Sequence, residues 1–423
     1  MRKLVLLALT PLALLAACGG GGGSSMTTPP PPPPSQQIAT PGAPNVETLV
    51  VNGGPVQNLN TAFINGVTIC VHGQVGAANC VSVDGIEVDT GSSGLRVLSE
   101  AIGNLPLGIV TTNGGMTLAE CVPFADGVSF GPVAVADITF HDSGKTLSGI
   151  NVQVIGDPAY VGNNDINVPT SCSSLGPKIE DTVSAFGANG ILGVGPFLQD
   201  CGSLCENEPA NNITGAYYTC PTAATCVDAS ATLAQQVANP VSLFTSDNNG
   251  VIVELPSVGN AGMASVTGAL VFGIGTGHQN NMTGSETVLF EDGSGFITAN
   301  YKGTVFPQGY IDSGSNINFI DDGTITVCPD DASYYCPASP LNLSAMLTGV
   351  GGTSVTANFT VVNADPFIQL PLSLFAVPVL AGPSLDPQHQ SFDLGLPYFY
   401  GRNVFQAIEN QSTPAGTGPY FAF

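Results

Sequence analysis

The sequence predicts an all-β protein whose two halves are built alike. Two observations point to strands: 53 Gly among 423 residues, with frequent Asn, Asp and Pro, separate short runs rich in Val, Ile, Thr and Phe, and helical periodicity is scarce. A third points to duplication: Val88-Asp89-Thr90-Gly91-Ser92-Ser93 returns as Ile311-Asp312-Ser313-Gly314-Ser315-Asn316. Each copy is followed at long range by a Leu-Gly landmark, Leu192-Gly193 in the first half and Leu394-Gly395 in the second.

Taken in order, the clearest strands are Val67–Val71, 150–155, Gly250–Leu255 and 356–362, with turn signals at Asn52-Gly53, Asn113-Gly114 and Asp292-Gly293. Short helices are expected at 98–102, 231–238 and 402–408. The expected lobes are 46–240 and 241–423.

The N-terminus reads as an address. Arg2 and Lys3 precede an apolar run to Ala17, too short to be a lasting membrane span, so 1–17 is expected to be a signal peptide. Leu15-Ala16-Ala17-Cys18 resembles the bacterial lipobox, which implies cleavage, acylation of Cys18 and a lipid anchor in the cell envelope. Gly19 after Cys18 favours the outer membrane in that resemblance, with the periplasmic or surface face left open. Residues 18–45, with runs of Gly and Pro, read as a flexible tether.

Charge is sparse and one-sided, 31 acidic residues against 7 Lys and Arg, of which Arg2 and Lys3 leave with the signal. Such a chain has no electrostatic footprint for nucleic acid. Besides Cys18 there are ten Cys: Cys70, Cys80, Cys121, Cys172, Cys201, Cys205, Cys220, Cys226, Cys328 and Cys336. An even number behind a secretion signal predicts disulfides. Cys70 with Cys80 and Cys328 with Cys336 are spaced to staple short loops. The 201–226 cluster is expected to pair internally, with its connectivity open. No metal site or cofactor is expected: the four His show no ligand spacing, and the cluster has no CxxC pair. Gly273-Ile274-Gly275-Thr276-Gly277 lacks the context of a dinucleotide loop. His141-Asp142-Ser143-Gly144 is better read as a turn than as part of a triad.

The duplicated motif carries the chemistry. Val88 to Val97 matches Phe-Asp-Thr-Gly-Ser-Ser-x-Leu-Trp-Val of the pepsin-like aspartic peptidases, with Gly94 at the variable position and Arg96 where Trp is usual. Asp312-Ser313-Gly314-Ser315 matches that family's second motif, Gly268 to Gly273 the strand before the second active loop, and Phe392 to Ala407 the C-terminal segment. The chain thus resembles this family from about Val81 to its end, and also an uncharacterised group of bacterial secreted lipoproteins. The resemblance implies a bilobal all-β fold with pseudo-twofold symmetry and an interlobe cleft. It also implies an acid-favouring endopeptidase, monomeric, in which Asp89 and Asp312 activate a water that attacks a polypeptide. Thr90, Gly91, Ser92, Ser313, Gly314 and Ser315 would support the pair, and Gly193 and Gly395 would lie where a strand crosses each active loop. Two carboxylates so placed cannot both ionise easily and share a proton.

Two departures bear on activity. The family's flap Tyr has no counterpart in the expected flap, about 117–130, which offers Phe124 for substrate contact, and the chain has no Trp. Glu87 stands where an apolar residue is usual. The alternative expectation is therefore a catalytically inactive scaffold that binds a polypeptide or glycan.

Overall fold

The computed structural model describes residues 36–74, 76–112, 114–206 and 216–423. The expected signal peptide, Cys18 and the Gly- and Pro-rich run as far as residue 35 lie outside the described residues. Among the described residues the strands form an 18-stranded sheet system, a 7-stranded sheet and a two-stranded ribbon, and the helices are single turns. This is the all-β, bilobal architecture expected from the sequence.

Each half repeats one local design. In the first, Ile86–Asp89 runs into the Asp89 loop and returns as Ser93–Leu98; Gly190–Val194 lies parallel to the former and antiparallel to the latter. In the second, Thr304–Ile311 runs into the Asp312 loop, Asn318–Phe319 leaves it, and Ser391–Leu394 lies parallel to the incoming strand. The same Ser391–Leu394 strand pairs antiparallel with the outgoing one. Val88, Leu95, Val97 and Leu192 in one half and Phe306, Ile311, Phe392 and Leu394 in the other are buried in one continuous core. Full burial of side chains of this size is worth about 1.5–3 kcal/mol each, which fixes the loops that project from them.

Between these units lies a sheet to which both halves contribute. Val46–Val51 pairs with Val266–Phe272, which pairs with Gly250–Leu255, which pairs with Arg402–Ala407, which pairs with Tyr420–Ala422. The lobes are thus not cleanly separate stretches of chain.

Four expectations change. The tether does not extend to residue 45: Gln36 Nε2 donates to the carbonyls of Leu255 and Arg402 (2.8 Å each), Ala39 N–H donates to Glu254 Oε2 (2.6 Å), and Asn45 is buried. Side-chain hydrogen bonds, which composition does not reveal, pin this segment to the bridging sheet. The expected helix at 402–408 is the strand Arg402–Ala407. Val404, Phe405, Gln406 and Ala407 are all buried, so no period-2 alternation marks them, and pairing with Gly250–Leu255 decides the conformation. Residues 231–238 form a turn closed on the Thr232 carbonyl rather than a helix. Gly268 to Gly273 belongs to the bridging sheet, and Ile297–Tyr301 and Thr304–Ile311 intervene before Asp312.

All ten expected Cys are paired: Cys70–Cys80, Cys121–Cys172, Cys201–Cys205, Cys220–Cys226 and Cys328–Cys336. The Cys201–Cys226 cluster pairs internally as sequential neighbours. Cys328, Cys336 and Asp365 come close together, but the disulfide consumes both thiolates that a metal would need.

Candidate active site

The two loops meet tip to tip. Thr90 N–H donates to Ser313 Oγ (3.1 Å) and Ser313 N–H to Thr90 Oγ1 (2.9 Å). Each hydroxyl then donates across to the opposite strand, Thr90 to the Ile311 carbonyl (3.2 Å) and Ser313 to the Val88 carbonyl (2.7 Å). All four bonds are buried, so breaking the contact would strand polar groups away from water. Residues named from sequence only as supporting are thus what ties one loop to the other.

This contact sets the carboxyls face to face. Asp89 and Asp312 line the same cavity, and each carboxyl lies against the glycine of the opposite loop. Gly91 N–H donates to Asp89 Oδ1 (2.7 Å) and Gly314 N–H to Asp312 Oδ1 (2.8 Å). Ser92 Oγ donates to Asp89 Oδ2, and Ser315 Oγ lies 3.0 Å from Asp312 Oδ2. A Cβ on Gly91 would stand 2.8 Å from the Asp312 carboxyl, and one on Gly314 2.6 Å from Asp89 Oδ1. The approach of each carboxyl to the opposite loop therefore requires glycine. Gly193 is in register with both Asp89 and Gly94, and Gly395 follows the strand that crosses the second loop. Burial and the neighbouring Asp89 charge push the Asp312 carboxyl well above the ordinary range, with Asp393 adding to the effect.

The pair lies at the wall of a cavity of about 470 Å³ between the lobes. Phe197 and Pro196 line it from the first half, Phe296, Tyr310 and Leu385 from the second. A second cavity of about 110 Å³ touches the same pair and is walled by Glu87, Asp126, Glu180, Phe124 and Phe186. Phe124 sits at the tip of the hairpin formed by Thr117–Pro123 and Val128–Thr139, edge-on to Phe186 at 5.6 Å. It lines both cavities. Cys121 ties this hairpin to the short helix Thr170–Ser173 through Cys172. Glu87, the odd residue of the first motif, faces the smaller cavity. Burial first, then the Asp89, Asp126 and Glu180 charges, raise its carboxyl well above the usual range.

Arg96 is 1% exposed. Its guanidinium reaches Glu120 on the hairpin (2.7 Å), Asp200 (3.3 Å) and the Ser93 carbonyl (2.8 Å). Tyr217 Oη bonds Asp200 (2.8 Å), and Val237 N–H donates to that same Oη (2.9 Å). Burial and the Glu120 charge raise Asp200 well above the ordinary carboxylate range, against the Arg96 guanidinium and the Tyr217 hydrogen bond. Where the pepsin-like motif carries Trp, this chain thus holds its hairpin through a buried ion pair. Sequence reasoning noted Arg96 but missed Glu120, Asp200 and Tyr217, since nothing in the primary structure aligns three separate segments.

Asp393 was also missed as a site residue. It is 1% exposed, lines the larger cavity, and lies in register with Tyr310. The first half has Ile191 in that place, opposite Glu87. The signal was legible: an acid immediately before Leu394-Gly395, where the first copy is apolar.

Buried carboxyls of this kind make stability fall toward neutral pH. Burial raises Glu180 and Glu254 to about 7, and burial together with Asp165 raises Asp181 to about 7. Between their ordinary range and pH 7 the native state holds more protons than the unfolded one, so stability declines as pH rises through that window. Asp322 acts oppositely: against a burial cost, Lys302, Thr324 and Tyr301 hold it low, so its contribution is lost in strong acid. The expected result is a thermal midpoint higher at about pH 5 than at pH 7.5, falling again in strong acid, measured by scanning calorimetry.

No curated protein matches the chain. An aspartic proteinase from Irpex lacteus is similar in structure over 89% of this chain and 96% of its own, at 16% identity and a TM-score of 0.47. Residues 41–423, nearly the whole described chain, match the family model described as "Protein of unknown function (DUF3443)", and the chain belongs to that family.

Proposed function

We propose that this chain is an aspartic-type endopeptidase of the bacterial cell envelope, lipid-anchored at Cys18, that hydrolyses polypeptides in the cleft between its lobes. One observation carries the reading. Two carboxyls, Asp89 and Asp312, are set beside each other by two equivalent loops, each with its own backbone N–H and Ser hydroxyl, at a cavity that both halves line. A structural turn needs none of this symmetry, and desolvating two facing acids is costly unless their shared proton is used.

The chemistry follows from one proton on the pair. The ionised carboxyl accepts a proton from a water held between the two, and the water oxygen forms a bond to the scissile carbonyl carbon. The protonated carboxyl gives its proton to the carbonyl oxygen. The resulting diol collapses: one of its hydroxyls returns a proton to the carboxylate that gave one, the C–N bond breaks, and the leaving nitrogen takes the proton gained from water, which leaves an acid, an amine and the pair with its single proton. The two carboxyls act as one unit, so the roles are not assigned to one Asp or the other. Phe124, at the hairpin tip, supplies an apolar contact over the substrate in place of the flap Tyr.

The test is incubation of the full chain with a denatured protein from pH 2 to 7, with new termini mapped by mass spectrometry. Cleavage strongest in acid and suppressed by pepstatin is expected. Binding of the polypeptide with no cleavage at any pH would overturn the peptidase reading in favour of a binding scaffold.

A further inference from the structure

The two halves differ at one place that touches the carboxyl pair. Ser92 Oγ donates to Asp89, with apolar Ile191 in the crossing strand. Ser315 Oγ instead stands between two acids, 3.0 Å from Asp312 Oδ2 and 2.5 Å from Asp393 Oδ2. A serine hydroxyl has one hydrogen. If both acids were ionised, one of these contacts would set acceptor against acceptor in a buried place. A proton on Asp393 Oδ2 removes the conflict: Asp393 donates to Ser315, and Ser315 donates to Asp312. Asp393 Oδ1 is buried without a partner. A bare carbonyl oxygen of a neutral acid is far cheaper to leave there than half of a carboxylate.

Resting on the peptidase reading of Asp89 and Asp312, we propose that Asp393 is a third, proton-bearing carboxyl of the site, a positioning residue that acts on Asp312 through Ser315. The groups facing it favour that proton. Asp312 is joined to it through Ser315 and Asp89 stands on the opposite loop, while Tyr310 and Asp386 line the same cavity. Among the described residues no Lys, Arg or His lines the cavity, and His389, on the loop of Asp386, is bonded to Asp321 (2.8 Å). Burial pushes the Asp393 carboxyl well above the ordinary range, and the Asp89 charge adds to it against the Ser315 hydrogen bond. Phe319, its antiparallel partner, adds no charge.

The relay gives the site a pH limit. While Asp393 holds its proton, the Ser315 hydrogen points to Asp312 and fixes that carboxyl. Once the proton leaves, the Ser315 hydrogen turns to Asp393, and a third negative charge stands beside the pair. Loss of activity toward alkaline pH then follows loss of this proton, not of the one shared by Asp89 and Asp312 alone.

The test uses the full chain carrying 13C-labelled Asp carboxyls. In the wild type at about pH 5, above the ordinary Asp range, one protonated carboxyl signal is expected that disappears in Asp393→Asn while the other protonated signals stay. In the same variant the Asn amide donates to Ser315 at every pH, so the alkaline limb of kcat should move up by about one pH unit with KM unchanged. Asp393→Ile, which copies the first half, gives the same loss of signal should the Asn variant not fold. An unchanged set of protonated signals, or an alkaline limb that stays or moves down, overturns the proposal. The carboxyl spectrum is read without turnover. A chain that cleaves nothing yet loses this signal keeps the proton on Asp393 and overturns the peptidase reading instead.

Discussion

Asp312→Asn is expected to lower kcat for peptide hydrolysis by about 10³-fold or more, with Asp89→Asn doing the same. Asn keeps the size of the side chain and can still accept from Gly314 N–H, so the loop contact through Thr90 and Ser313 stays intact. What it removes is the proton shared across the pair and, with it, both the base that activates water and the acid that polarises the carbonyl. The loss should fall on kcat rather than KM, because the apolar walls, Pro196, Phe197, Phe296 and Leu385, are untouched. Stability should not fall with it. Burial and Asp89 already raise the Asp312 carboxyl, so its ionised form is a cost to the native state near neutral pH. The variant should therefore unfold at the same temperature as the wild type, or higher, at pH 7. Steady-state kinetics on a cleaved peptide, beside calorimetry on the same sample, checks both halves of the statement. An equal drop in stability and activity would mean that Asp312 is structural.

The second large effect belongs to Arg96. Arg96→Met is expected to destabilise the fold by about 3–5 kcal/mol, because it leaves Glu120 buried without its cation. The other acid of the network, Asp200, carries no positive charge that could replace the guanidinium. Pairing the change with Glu120→Gln should recover part of the loss, since removing both charges ends the desolvation cost of the survivor. The consequence for function is positional. Glu120 lies on the strand that leads to Phe124, so the single variant should loosen the hairpin over the cavity and raise KM. Urea unfolding at pH 7 on the single and double variants measures the stability terms, and peptide kinetics on the single variant reads the hairpin. A loss below 1 kcal/mol would mean that the ion pair is not what holds this element.

Much of this arrangement was legible in the sequence because it is written twice. The recurrence of Asp-Thr/Ser-Gly-Ser, each followed by Leu-Gly, marks two loops and two crossing strands, and the residues so marked do meet in space. The cysteine spacing pointed to the short staples. What stayed hidden depends on partners distant in the chain. The 402–408 segment reads as either helix or strand until Gly250–Leu255 is placed beside it. Residues 36–45 read as tether because Gln36 and Ala39 find their partners more than two hundred residues away. The Arg96 network joins residues 96, 120, 200 and 217, whose types are unremarkable alone. Asp393 was visible as a break in the repeat, but its meaning depends on Ser315 standing between it and Asp312.

The central claim is that Asp89 and Asp312 act together on one water. Pepstatin carries a hydroxyl that takes the place of that water between two such carboxyls, so its binding reads the pair without requiring a substrate. Calorimetric titration at about pH 4 should show one equivalent bound by the wild type, and binding lost in Asp89→Asn and in Asp312→Asn alike. No binding by the folded wild type, or undiminished binding by either variant, would contradict the account.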